Sequence, residues 1–138
     1  METKPFIKVV NTTSTSVAAN SVIPLGNYVI GKWKNCILKS GNNILIRDNY
    51  VNNYKVTINI TFSAPTAGVI NVSLLQNQNV VTGGTLAETI TTANTEFRTV
   101  TISTVVRTNG SCIDDVLSLI TGSLGITMTN LDVDIVKI

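Results

Sequence analysis

Residues 54–81 read YKVTINITFSAPTAGVINVSLLQNQNVV and carry one charge, Lys55, in twenty-eight positions. Tyr54, Val56, Ile58, Ile60 and Phe62 alternate with Lys55, Thr57, Asn59 and Thr61, and a period of two puts each set on its own face of a strand. Ala64-Pro65-Thr66-Ala67-Gly68 interrupts the run with a fixed φ at Pro and freedom of φ at Gly, which is turn chemistry. Ile70, Val72 and Leu74 then return on one face, with Asn71 and Ser73 on the other. The segment predicts two antiparallel strands with one apolar face each. Their polar faces are built from hydroxyls and amides instead of Lys and Glu.

The same pattern extends both ways. Upstream lie Phe6–Val10, Val17–Ile23, Tyr28–Leu38 and the short Ile44–Ile46. Gly41-Asn42-Asn43, Asp48-Asn49-Tyr50 and Asn52-Asn53 are turn material between them. Downstream, Gln76-Asn77-Gln78-Asn79 turns, Val80-Val81 is brief, Gly83-Gly84 turns again, and Leu86–Thr91 reads as an edge strand. Phe97–Arg107 alternates, with Val100, Ile102 and Val106 inward and Thr99, Thr101 and Ser103 outward. Val116–Thr121 and Ile126–Ile138 close the chain after turns at Asn109-Gly110 and Gly122. Asp114-Asp115 precede a segment that reads as strand in preference to a short helix. Turn signals every eight to fifteen residues, with helical periodicity nearly absent, predict an all-β antiparallel sandwich of nine or ten strands. With 138 residues and no repeat or linker, residues 1–138 are expected to form one unit. Residues 1–20 are read as either a first strand pairing with Val133–Ile138 or an attachment arm.

Charged residues are 13% of the chain, about half the usual share of roughly 25%. A monomer of this size exposes roughly 7,000 Å², which eighteen charged side chains cannot cover. Twenty Thr and sixteen Asn cover much of the rest, and a weakly charged exterior favours packing against other subunits. A net charge of +2 does not suggest nucleic acid. Lys32 and Lys34 around Trp33 read as a strand end. No apolar run approaches the ~18–20 residues of a membrane span, so no membrane association is expected. The start lacks a signal-peptide core, which predicts synthesis in the cytoplasm.

Histidine is absent. That excludes Ser-His-Asp and Cys-His catalysis and His-ligated metals, so no enzyme activity and no cofactor are expected. Asp132 and Asp134 lie two apart on a strand and share a face, but two carboxylates fall short of the six to eight oxygens of a Ca²⁺ site. Asp114-Asp115 is a similar near miss, and Asp48 beside Arg47 reads as a loop pair. Cys36 and Cys112 could form a disulfide, but two cysteines give no framework signature, and a cytoplasmic start favours free thiols buried as small hydrophobes.

Four segments carry a resemblance to a known architecture: NYVNNYKVTINITF, GVINVSLLQNQNVV, RTVTISTVVRTNGSCIDDVLSLI and the closing NLDVDIVKI. In that order they resemble the jelly-roll heads of the tumour-necrosis-factor and complement-collagen type, and the small jelly-roll and fibre-tip proteins of bacteriophages. Gln78 stands where such heads usually have a turn glycine, which predicts a longer turn here, and no Gly-X-Y stalk precedes the head. The resemblance implies a jelly roll over residues 28–138 and a homotrimer that packs the outer face of one sheet around a three-fold axis. Thr57, Asn59 and Thr61, with Thr99 and Thr101, would form the desolvated polar rows of that interface. Leu75, Phe97 and Val105, out of pattern on the polar side, would be its apolar anchors. The implied role is a structural virion protein, a capsid-decorating or head-fibre subunit attached to a capsid or other virion protein. The alternative is a fibre-tip module binding host glycan through Tyr28, Trp33 and Tyr50.

Overall fold

The computed structural model describes residues 4–32, 36–111 and 113–138. Among them the apolar alternation resolves into eleven strands and no helix: β1 (Phe6–Asn11), β2 (Thr15–Val17), β3 (Asn27–Lys32), β4 (Ile37–Ser40), β5 (Asn43–Arg47), β6 (Asn53–Ser63), β7 (Gly68–Gln76), β8 (Asn79–Ile90), β9 (Arg98–Arg107), β10 (Asp114–Thr121) and β11 (Ile126–Lys137). The chain is a long hairpin rolled on itself. At its tip β7 pairs with β8; the next rungs are β6 with β9, β5 with β10, and β1 with β11. Successive rungs fall in opposite sheets. Sheet A runs β3-β1-β11-β6-β9 with β2 also on β11, and sheet B runs β4-β5-β10-β7-β8. This is a jelly roll.

Between the sheets lies one apolar core. Tyr54, Val56, Ile58, Ile60 and Phe62 of β6 are fully buried and meet Ile70, Val72, Leu74, Leu117 and Leu119 of sheet B within it. Each fully buried aliphatic side chain contributes about 1.5–3 kcal/mol, and β6 has a strand on either side. The nearly complete burial of its inward row follows from that central position.

Several boundaries differ from the sequence expectation. Tyr28–Leu38 is not one strand but two, β3 at an edge of sheet A and β4 at an edge of sheet B. Val17–Ile23 holds only the end of β2 and a single bridge from Val22 to Ile120. Gly83-Gly84 is not a turn between two strands, because β8 runs through it. Between the pairs Ser73↔Thr85 and Leu75↔Val80, β8 uses five residues while β7 uses two. The glycines accommodate this bulge, with Gly83 at φ 78 and only tight space for a side chain at Gly84 against Val81 O and Leu74. Phe6–Asn11 pairs with Leu131–Val136, so the start of the chain is a strand of the sandwich.

The turn expected to be long is short. Gln76 pairs with Asn79, leaving Asn77 and Gln78 as a two-residue hairpin loop with φ of 52 and 70, the conformation of a type I′ turn. Asn tolerates this backbone and glutamine does so only at a cost. Gln78→Gly is therefore expected to raise the unfolding free energy by about 0.5–1 kcal/mol in denaturant titrations.

Candidate assembly surface

The outer face of sheet A is built from residues that the registers bring side by side. One row reads Ile30, Lys8, Asp134, Thr57 and Ser103; the next reads Lys32, Phe6, Val136, Lys55 and Val105; a third reads Asn27, Val10, Asp132, Asn59 and Thr101. Thr61 and Thr99 face each other one step further. Two hydroxyl and amide pairs of this face already bond across the strands. Thr61 Oγ1 and Thr99 Oγ1 lie 2.9 Å apart, and Thr101 Oγ1 donates to Asn59 Oδ1 at 2.5 Å. Polar groups satisfied in this way lose less on being covered than groups that leave water unpaired. Beside them Ile30, Val105 and Val136 remain half exposed.

Six of the eight residues expected at an interface thus share this face: Thr57, Asn59, Thr61, Thr99, Thr101 and Val105. Phe97 does not lie on β9; it sits in the β8–β9 connection and is 54% exposed. Glu96 beside it takes the Thr91 and Thr92 N–H groups and pairs with Arg98 at 2.6 Å. Leu75 is a correction. It lies on sheet B, opposite Ser118 and Val80, and is only 7% exposed. The register shift after Ser73 leaves both Leu74 and Leu75 buried, which strict alternation could not foresee.

The expectation of an uncharged face also needs correction. Asp132 and Asp134 share the outer side of β11 as expected, but the ammonium of Lys8 lies between them, at 2.8 and 3.2 Å. The hydrogen bond to Asp132, then that to Asp134, raises the Lys8 pKa above its ordinary value. Desolvation, with the charge of Asp132 opposing the bond from Lys8, raises that of Asp134. A lysine thus stands where a cation between these carboxylates would sit. The partner is 124 positions away from Asp132 in sequence, and only the β1–β11 register joins them.

Asp48 is another group that sequence reading misplaced. Arg47 does not pair with it but forks onto Asp114, opposite it in the β5–β10 ladder, at 2.6 and 3.1 Å. Asp48 is buried and takes the Tyr50 N–H, the Asn52 amide, the Tyr54 hydroxyl at 2.8 Å and the Lys137 ammonium at 3.3 Å. Burial alone would raise its pKa, but these donors outweigh burial and hold the carboxyl below its usual range. Burial and the adjacent carboxylate push Tyr54 upward. A depressed folded-state pKa contributes stability that is present above the unfolded value of about 4 and lost as pH falls through the folded one. Urea unfolding between pH 7 and 3 is therefore expected to show stability falling below about pH 4, with a smaller slope in Asp48→Asn.

Of the aromatic residues considered for glycan, Tyr28 and Tyr50 do not share a site. Tyr28 is on the β3 edge opposite Val9 and lines a small cleft with Ile37, Leu38 and Lys39 that does not include Tyr50. Tyr50 is in the β5–β6 loop, 74% exposed. Trp33 lies outside the described residues, as does Cys112; Cys36 is a half-buried free thiol. Among the described residues no helix is long and apolar enough to cross a membrane.

No family model matches the chain, and no curated protein matches it. Solved structures do. Murine APRIL matches with a TM-score of 0.74 and 8% identity, over 99% of this chain and 100% of the other. PRD1 vertex protein P5 matches at 0.62 and 16% identity, over 100% and 99%. The globular domain of zebrafish complement 1qA protein matches at 0.62 and 8% identity, over 95% and 94%. The fold is that of the tumour-necrosis-factor and complement-collagen jelly-roll heads, and it accommodates a sequence that shares little with any of them.

Proposed function

We propose that this jelly roll is a structural, non-catalytic subunit of a bacteriophage virion, a capsid-decorating or head-fibre protein. In this reading it assembles as a homotrimer through the outer face of sheet A. The observation that carries the reading is that face. Its Thr61–Thr99 and Asn59–Thr101 pairs on β6 and β9 are internally bonded, and half-exposed Val105, Val136 and Ile30 share the face. A surface of that kind loses little by leaving water and gains the burial of its aliphatic groups. In the Lys8–Asp132–Asp134 cluster one ammonium is shared by two carboxylates, so covering it leaves one negative charge for the neighbouring subunit to meet. Similarity to a vertex protein supports a place in a virion, and a chain without histidine supports a role without catalysis. The subunit would be made in the host cytoplasm and attached to a capsid or other virion protein.

Sedimentation velocity of the purified chain tests this. A species three times the 14.8 kDa of the chain is expected at micromolar concentration, and a monomer at that concentration removes the reading. Stoichiometric incorporation into purified capsids is the expected second result.

A further inference from the structure

A groove of about 410 Å³ opens at one end of the sandwich, between the β7–β8 turn and the last residues of β9. This falls within the usual range of about 300–1,000 Å³ for small-ligand sites. Its aliphatic lining includes Val80, Val81 and Val105, and its polar wall is made of the amide residues Gln76, Asn77, Asn79 and Asn109 with Arg107. Arg107 makes no ion pair among the described residues. Every amide on this wall is tied to something that fixes it, except that of Asn79, which reaches only Asn77 O.

The tie is Asp115. Its side chain is completely buried, yet no cation neutralises it among the described residues. Oδ1 accepts from the Gln76 amide at 3.1 Å, the Asn77 amide at 2.9 Å and the Asn109 amide at 2.7 Å, and Oδ2 accepts from the Asn109 N–H at 3.0 Å. Gln76 also reaches Arg107 O at 2.7 Å, and Asn77 Oδ1 takes the Val116 N–H. Burying a carboxylate with neutral donors alone is an expensive way to hold a turn. It does hold three amides in place along a groove that is also lined by Arg107, an arginine without an ion pair among the described residues.

We propose that this groove binds an acidic saccharide, with the fork of Arg107 taking the carboxylate. With the bonds to Asp115 and Arg107 O made, Asn77 and Asn109 each keep one amide N–H and Gln76 keeps its Oε1 for sugar hydroxyls, and a guanidinium takes a carboxylate in two parallel bonds. The valine wall suits the C–H face of a sugar ring. A peptide partner would want deep apolar pockets for its anchors, and the polar wall offers none. The groove includes neither Tyr28 nor Tyr50, and it shares Val105 with the outer face of sheet A, so it borders the proposed assembly face.

The test is titration of the full chain with 3′-sialyllactose and methyl glucuronide, against lactose and methyl glucoside, followed by ligand-observed NMR. Saturable binding of at least one acidic probe is expected, with neither neutral probe binding. Arg107→Gln should weaken the acidic probe at least about tenfold while the thermal transition stays in place, and Arg107→Lys should recover only part. No binding by either acidic probe, equal binding by the neutral ones, or affinity unchanged in Arg107→Gln overturns the proposal. So does dissociation of the assembly by Arg107→Gln, which would give the groove to a second copy of the chain. A monomeric wild type that still binds sialyllactose through Arg107 would remove the trimer and leave this site standing.

Discussion

Replacing Asp115 by alanine is expected to lower the unfolding free energy by about 2–4 kcal/mol, a large part of the 5–15 kcal/mol typical of a domain. The carboxylate is fully buried and accepts four N–H groups. Alanine leaves all four without their acceptor, and each buried donor left unpaired costs about 1–3 kcal/mol. The total stays below the sum because Asn109 lies at the groove and water can reach it. Gln76 keeps its bond to Arg107 O, and Asn77 keeps the one from Val116. Asp115→Asn retains one accepting oxygen but turns an N–H₂ toward a donor, and should cost roughly half as much. Denaturant titration at fixed protein concentration reads both. A loss under about 1 kcal/mol in the alanine variant would mean that the four donors find water readily and that Asp115 holds nothing in place. The hairpin turn at Asn77 and Gln78 should lose order first, since Asp115 and Val116 are what fasten it to β10.

The sequence shows the inward row of β6 because alternation is a local property: Tyr54 through Phe62 announce their face two residues at a time. It shows Thr101 and Asn59 as outward for the same reason, though not that they are neighbours. What it hides depends on register or on a break in period. Leu75 looks like an exposed anchor until the shift after Ser73 turns two consecutive leucines into covered ones. Tyr28–Leu38 looks like one strand because nothing local marks a passage from one sheet to the other. Asp132 and Asp134 read as two carboxylates short of a cation site, and their lysine stays hidden because it lies at the far end of the chain and meets them only when β1 pairs with β11. Gln78 hides a two-residue turn because the strain it accepts is met by bonds from Asn77 to β10. The missing information in each case is a contact between residues distant in sequence.

If sheet A is the assembly face, the double variant Thr101→Asp with Val105→Asp should convert trimers to monomers while each subunit stays folded. Both side chains point outward from β9, and Val105 is 48% exposed in the isolated chain, so the change in subunit stability should stay within about 1 kcal/mol. At an interface the arithmetic differs. Two carboxylates per subunit would leave water without a partner, beside Asn59 and near Asp132 and Asp134, whose charges already exceed that of Lys8 by one. Several kcal/mol per uncompensated ion, with about 1.4 kcal/mol to each factor of ten, puts the expected weakening at about a thousandfold or more. Val69→Asp is the counterpart on the outer face of sheet B, where the valine is 51% exposed, and it should leave the trimer intact. Sedimentation velocity of the three proteins separates the cases. Dissociation by Val69→Asp alone would move the interface to sheet B. A trimer that survives the double variant would show that the hydroxyl and amide rows of β6 and β9 face water in the assembly, and the Thr and Asn content of the chain would then need another cause.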